Sequence, residues 1–295
     1  MKPCGSKKRL ALFVRREGFK VERMVEHSGC RIAYFAAGNG PAVLFIQGVG
    51  VQGAGWRPQT TELAAGYTCL WFDNRGIGRS QPVGGAITVV QMADDARAVL
   101  DAQQVATAHV VGHSLGGLVA LQLALSNRNR VRSLALLCSF TGRRTAAPLT
   151  PRMVWLGLRA RVGTRSMRRR GFLRLVLPPG STANTDELAE LFGHDLADQP
   201  PVAAAQLRAL RSVDLSDRLG ELAGLPVLVV AAAHDPIAPP RAGLALRDGL
   251  AGARYVEVAE ASHGLPITHA SLVNSLLREH FAEVESAGLP PAGAT

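Results

Sequence analysis

A chain of 295 residues with 47% hydrophobic residues is long enough for one large α/β domain carrying an insertion, or for two ordinary domains. That composition excludes a disordered chain, except at the ends. The net charge of +10 is high for a small-molecule enzyme and has to be located along the chain before it is interpreted. The longest apolar stretches, residues 133–138 and 225–233, are strand-sized and too short to span a bilayer. After Lys7, Lys8 and Arg9 only residues 10–14 are apolar before Arg15, too few for a signal-peptide core, so a cytoplasmic location is expected. The cysteines, Cys4, Cys30, Cys69 and Cys138, form no C-x-x-C pair. Buried free thiols are expected, with neither a metal site nor a disulfide framework.

In chain order, residues 19–26 and 31–36 read as the antiparallel start of a sheet. Residues 43–46 form a short apolar run ending in Gln47-Gly48-Val49-Gly50, and residues 67–72 another, ending in Asp73-Asn74-Arg75-Gly76. Residues 88–103 place Val89, Met92, Ala96, Val99 and Leu100 on one helical face. A strand at 109–111 runs into Gly112-His113-Ser114, a helix at 115–126 follows at once, and a fourth apolar run occupies 134–137. Residues 226–233, residues 255–258 and a helix at 267–281 complete the pattern.

Strand and helix alternate, so the expected fold class is α/β, a mostly parallel eight-stranded sheet with helices on both faces. The alternation breaks at residues 141–222, which are helix-like and punctuated by Pro148, Pro151, Pro178-Pro179 and Pro200-Pro201. We expect an inserted helical cap there. The core is then residues 19–140 and 223–286, with a basic N-terminal extension at 1–18 and a flexible tail at 287–295.

The segment Gly112-His113-Ser114-Leu115-Gly116 matches G-x-S-x-G between a strand and a helix. The pattern has a steric reason: the serine sits on a sharp, strained turn, and the glycines let strand and helix approach closely. The hydroxyl is thereby lifted to the carboxyl edge of the sheet beside a helix N-terminus, where the Leu115 N–H can face developing negative charge. His263 and Asp235 both follow apolar strands, in Ala261-Ser262-His263-Gly264 and His234-Asp235-Pro236, and so fall at the same edge. Their order after Ser114 suits a nucleophile, an orienting acid and a base. His27, His109, His113, His194, His234, His269 and His280 read better as packing or surface residues. Asp248 falls inside a helix, and residues 139–144 hold no carboxylate, which leaves Asp235 as the acid.

With these residues the chain resembles the α/β-hydrolase superfamily, in particular its cap-bearing esterase and lactonase-like branch. The likeness runs from about Phe19 to Phe281 and is weakest in the cap. Asp73-Asn74-Arg75-Gly76-Ile77-Gly78-Arg79-Ser80 is similar to the family's D-x-R-G-x-G-x-S segment, whose role is to shape a loop. The family usually carries His-Gly after its third strand, followed by the residue whose N–H is the second oxyanion donor. Here Gln47 replaces the histidine and Val49 maps to the donor, which unsettles the loop's orientation. Trp56, Gln59 and Leu63 stand where the family has a tryptophan and apolar residues.

A serine nucleophile argues against aspartate-dependent dehalogenases and epoxide hydrolases of this fold. The resemblance implies a hydrolase of an ester, lactone or related acyl bond in a small, fairly apolar substrate. C–C bond hydrolysis, cofactor-free haloperoxidase-like chemistry and a non-catalytic ligand-binding role stay open. No G-x-G-x-x-G follows a first strand and no P-loop occurs, so no cofactor and no metal are expected. Positive charge gathers in the N-terminal segment and at Arg165, Arg168, Arg169, Arg170 and Arg174, and residues 143–174 contain no acid. A solvated helix face is the favoured reading. An acidic substrate, or contact of a basic amphipathic segment with a membrane surface, is weaker, and nucleic acid is not expected. Trp155 and Phe172 are candidates to line the substrate pocket. The oligomeric state is not legible.

Overall fold

The computed structural model describes residues 21–147, 150–159, 162–178 and 201–288. The expected N-terminal extension, His194 and residues 289–295 of the expected tail lie outside the described residues.

Eight strands form one sheet in the order β1-β2-β4-β3-β5-β6-β7-β8. Strands β1 (Val21–His27) and β2 (Cys30–Ala37) make a hairpin. Its two turn residues, Ser28 and Gly29, take φ of 46° and 72°, the left-handed pair that matches the twist of a tight hairpin. β2 pairs antiparallel with β4 (Thr68–Phe72). From β4 onward all pairings are parallel, through β3 (Ala42–Ile46), β5 (Ala108–His113), β6 (Val131–Leu137), β7 (Val227–Ala232) and β8 (Arg254–Val258). β5 and β7 are buried at every position, as strands covered on both faces must be.

The chain leaves β3 for β4 on one side and crosses back to β5 on the other. The carboxyl ends of β3 and β5 therefore flank the crevice where open α/β sheets place their sites.

The helices follow in order: α1 (Arg57–Leu63), α2 (Val89–Ala102), α3 (Leu115–Ser126), α4 (Pro151–Arg159), α5 (Arg165–Val176), α6 (Ala203–Arg211), α7 (Pro240–Gly249), α8 (Leu265–Thr268) and α9 (Ala270–Ser286). Thr88 caps α2 by accepting from the Gln91 N–H, and Thr164 caps α5 through the Met167 N–H. α3 is buried from Leu115 through Ala124, which its all-round apolar sequence allows, because it is covered by α2 as well as by β5 and β6. Between β6 and β7 the described elements are α4, α5, α6 and a 3₁₀ turn at Ser216–Leu222. This stretch leaves and rejoins the sheet at one place: the Leu215 N–H donates to the Thr141 carbonyl (2.8 Å) and the Arg143 N–H to that of Val213 (3.0 Å). No helix of the described residues is long and apolar enough to cross a membrane.

The loop after β4 is held by a buried charge network. Arg75 is fully buried and forks onto Asp95 of α2, through Nε (2.8 Å) and Nη2 (2.6 Å). Its other N–H groups reach the carbonyls of His27, Ser28 and Gly84. Asp73 accepts from the N–H groups of Gly53 (2.8 Å) and Arg79 (3.1 Å), while Ser80 Oγ donates to the Asp73 carbonyl. These residues shape a loop, as the motif implied.

Three histidines are buried with their rings held neutral. Burial pushes His109 and His280 down to about 4 and His113 to about 3; the Glu285 carboxylate only partly offsets this at His109. In the unfolded chain each takes up its proton near the ordinary value of about 6.5. Their contribution to stability is thus complete above about pH 6.5 and is lost as pH falls from there toward 4. Carboxylates titrate mostly below this window. The urea midpoint is expected to drop between pH 7 and pH 5, as the unfolding free energy falls by at most about 1.4 kcal/mol per pH unit for each histidine. A midpoint that stays flat over that range contradicts the assignment.

Candidate active site

Ser114 joins β5 to α3 with φ 56° and ψ −121°, a conformation that costs free energy in a non-glycine residue and that the surrounding packing enforces. Two glycines make the turn possible. A Cβ on Gly116 would lie 2.0 Å from the Ile46 carbonyl oxygen, so only glycine lets α3 start this close to β3. A Cβ on Gly48 would lie 3.1 Å from Ser114 Cβ, so the loop after β3 passes directly beside the serine. Ser114 itself is 5% exposed, and its backbone is tied on both sides. Its N–H donates to the Leu137 carbonyl (3.0 Å), and its carbonyl accepts from Ser139 Oγ (2.9 Å).

His263 follows β8 and Asp235 follows β7, and the fold brings them into direct contact. His263 Nδ1 lies 2.7 Å from Asp235 Oδ2, with both residues buried. The other carboxylate oxygen, Oδ1, accepts from the N–H groups of Ile237 (2.7 Å) and Ala238 (2.9 Å). Asp235 therefore orients the imidazole and caps its own loop at once. With Nδ1–H donated to the carboxylate, Nε2 is left as the basic nitrogen.

His113, read from the sequence as a packing residue, has a more specific task. Its Nε2 lies 2.9 Å from the His263 carbonyl oxygen, and the two rings stand 4.8 Å apart. The buried neutral ring donates there and fixes the backbone that carries His263. Gln59 Nε2 donates to the Pro266 carbonyl (2.6 Å), tying α1 to the same loop.

In the loop after β3, two N–H groups are bonded to glutamine side chains. Gly48 N–H is taken by Gln47 Oε1 (3.1 Å) and Gly50 N–H by Gln206 Oε1 (2.9 Å). Between them the Val49 N–H has no protein acceptor among the described residues, and neither has that of Leu115 at the start of α3. Gln47 thus stands in for the family's histidine as a buried anchor of the loop, bonding its own neighbour.

Among the described residues, the side chains of His113, Cys138 and His263 form one group whose ligand atoms lie within 4.8 Å of one another. They do not suit a metal ion. His263 Nδ1 is committed to Asp235 and His113 Nε2 to the His263 carbonyl, and the Cys138 thiol is raised well above its ordinary range by burial, which makes it a poor ligand.

The two pocket candidates separate. Phe172 of α5 is half-buried and packs on a small apolar cluster of Val51, Leu173 and Val176, joined by Ile267, which links α5 to the loops after β3 and β8. Trp155 is 51% exposed; α4 turns the adjacent Leu156 (5% exposed) inward instead. Trp155 instead lies under the Arg159 guanidinium, 5.6 Å from its ring centroid. Arg165, Arg170 and Arg174 are exposed, whereas Arg168 and Arg169 are partly covered.

The model of the alpha/beta hydrolase fold family matches residues 41–270, which include every site residue named above. The chain belongs to the alpha/beta-hydrolase family. Within it, the chain is 33% identical over 262 residues to RutD of Variovorax paradoxus, named as a carbamate hydrolase, covering 85% of this chain and 96% of that protein. It is 30% identical over 274 residues to BpoC of Mycobacterium tuberculosis, named as a non-heme bromoperoxidase, covering 86% and 99%. Among solved structures the enol-lactonase from Burkholderia xenovorans superposes with a TM-score of 0.75 at 25% identity, covering 88% of this chain and all of that one. These alpha/beta hydrolases share the sheet and differ in the bond their names assign to them, so the sheet alone does not name a substrate.

Proposed function

We propose that the protein is a serine hydrolase of an ester, lactone or related acyl bond in a small, fairly apolar molecule. The observation that carries this reading is the buried 2.7 Å bond between His263 Nδ1 and Asp235 Oδ2, formed at the sheet edge where Ser114 sits on its strained turn. Ser114 Oγ attacks the acyl carbon while His263 Nε2 takes its proton. The oxyanion is held by the N–H groups of Val49 and Leu115, neither of which has a protein acceptor among the described residues. Collapse expels the alcohol, which His263 protonates. A water molecule then loses its proton to His263 and attacks the acyl-enzyme; collapse breaks the bond to Ser114 Oγ, which takes the proton back from His263 as the acid leaves. In a lactone the leaving alcohol stays attached to the acyl group, and the chemistry is otherwise the same. The apolar cluster around Phe172 and Val51 supports a substrate with an apolar arm.

The test is hydrolysis of p-nitrophenyl esters and of lactones over a range of chain lengths, with and without a serine-reactive phosphonate. Turnover of at least one series, abolished by the phosphonate, is expected. No turnover of any acyl substrate and no phosphonate adduct, combined with thermal stabilisation by the same compounds, would instead establish a binding protein on a hydrolase fold.

A further inference from the structure

We propose that Gln206, on α6, is a positioning residue for catalysis: it sets the orientation of the Val49 N–H by holding the next peptide of the loop. The inference rests on the serine-hydrolase reading given above. It starts from a misfit in sequence. α6 reads Ala203-Ala-Ala-Gln-Leu-Arg-Ala-Leu-Arg211, and its buried stripe is Ala203, Gln206, Ala209 and Leu210. A helix stripe packed on a core is normally apolar, yet this one carries a carboxamide that is fully buried.

The structure shows what the carboxamide does there. Gln206 lies 156 residues from the loop in sequence, and its Oε1 accepts from the Gly50 N–H at 2.9 Å. An N–H can only donate, so the amide orientation is fixed by its partner. The cost is visible: Gln206 Nε2 is buried with no hydrogen-bond partner among the described residues. The side chain is therefore held inward for the sake of its oxygen. One helical turn earlier, Val202 seats the start of α6 on the loop after β4, where a Cβ on Gly76 would lie 2.8 Å from Val202 Cγ2. α6 is thus docked on the loops after β3 and β4.

The consequence falls on the oxyanion donor. The peptides on either side of the Val49 N–H are each pinned, at Gly48 by Gln47 and at Gly50 by Gln206. Gly50 takes φ 71°, the left-handed region where glycine has more backbone freedom than other residues, so its hydrogen bond matters to the shape of the turn. Releasing Gly50 frees the chain to rotate around Val49, and the donor leaves the place where the oxyanion forms. Ground-state binding does not depend on that donor; the tetrahedral state does.

The test uses the full-length chain, with Gln206→Met, Gln206→Ala and Gln206→Glu measured on a short acetyl ester. Methionine fills the same space with no acceptor, alanine admits water to Gly50, and glutamate keeps an oxygen there in either protonation state. Gln206→Met is expected to lower kcat by about 10²-fold with KM within a factor of about two, and to weaken a trifluoromethyl ketone inhibitor by a similar factor. Gln206→Glu is expected to restore most of kcat, and Gln206→Ala to fall between; the alanine variant carries the test if the methionine variant does not fold. Unchanged kcat and inhibitor affinity in the folded variants, with an active wild type, overturns the positioning role alone. A loss confined to KM overturns it too. A wild type with no turnover and no phosphonate adduct removes the hydrolase reading, and this proposal with it.

Discussion

Replacing Ser114 by alanine is expected to lower kcat by about 10⁶-fold, the loss measured when a serine hydrolase is deprived of its nucleophile alone. The fold should survive, because what Ser114 gives the structure comes from its backbone: the N–H bonded to Leu137 and the carbonyl bonded to Ser139 Oγ. Alanine keeps both and meets the same backbone strain as serine at φ 56°. Circular dichroism and the melting transition should therefore match those of the parent, and pocket ligands should still bind. Residual hydrolysis would come from the oxyanion donors and from positioning, which outlast the nucleophile. A folded variant with near-parental turnover would exclude Ser114 from the chemistry.

The second large effect is expected at Asp235. In Asp235→Asn the amide oxygen can still accept from the Ile237 and Ala238 N–H groups, so the loop stays capped. The amide nitrogen then faces His263 Nδ1, 2.7 Å away in the parent pair, and two donors cannot share that contact. The imidazole must move its proton to Nε2, where it can no longer deprotonate the serine. A loss of about 10⁴-fold in kcat follows for a tautomer reversed in this way. Asp235→Ala should lose activity and also destabilise the protein, since the buried Ala238 N–H loses its acceptor, at about 1–3 kcal/mol, and the part-buried Ile237 N–H loses its own. Unaltered kcat in Asp235→Asn would show that another carboxylate orients the base.

Much of this was legible in the sequence because the signals are local. The six parallel strands follow from short apolar runs closed by glycine or polar clusters, and each falls within a few residues of its expected place. The start of α3 is marked by G-x-S-x-G, whose glycines answer contacts that no side chain could satisfy. Asp235 and His263 are legible because each follows one of these strands, and parallel strands end on the same edge. The contact between them, however, needed coordinates.

What escaped the sequence is non-local. Trp155 reads from the sequence as a pocket-lining candidate, but whether a residue of a short amphipathic helix turns inward depends on how that helix is seated. Here Leu156 takes the inward position. The change from histidine to Gln47 left the loop after β3 undetermined. The answer lies far along the chain, at Gln206, whose only trace is a polar residue in an apolar stripe. His113 is similar: its neighbour Ser114 draws attention, while its own partner is the backbone of His263, 150 residues on.

The most direct measurement is intact-protein and peptide mass spectrometry after reaction with a p-nitrophenyl phosphonate, with parent and Ser114→Ala treated side by side. The account predicts one phosphonyl adduct per chain, located on Ser114, forming in step with loss of esterase activity and absent from the alanine variant. An adduct on another residue, or full hydrolysis by a chain that acquires none, would contradict it.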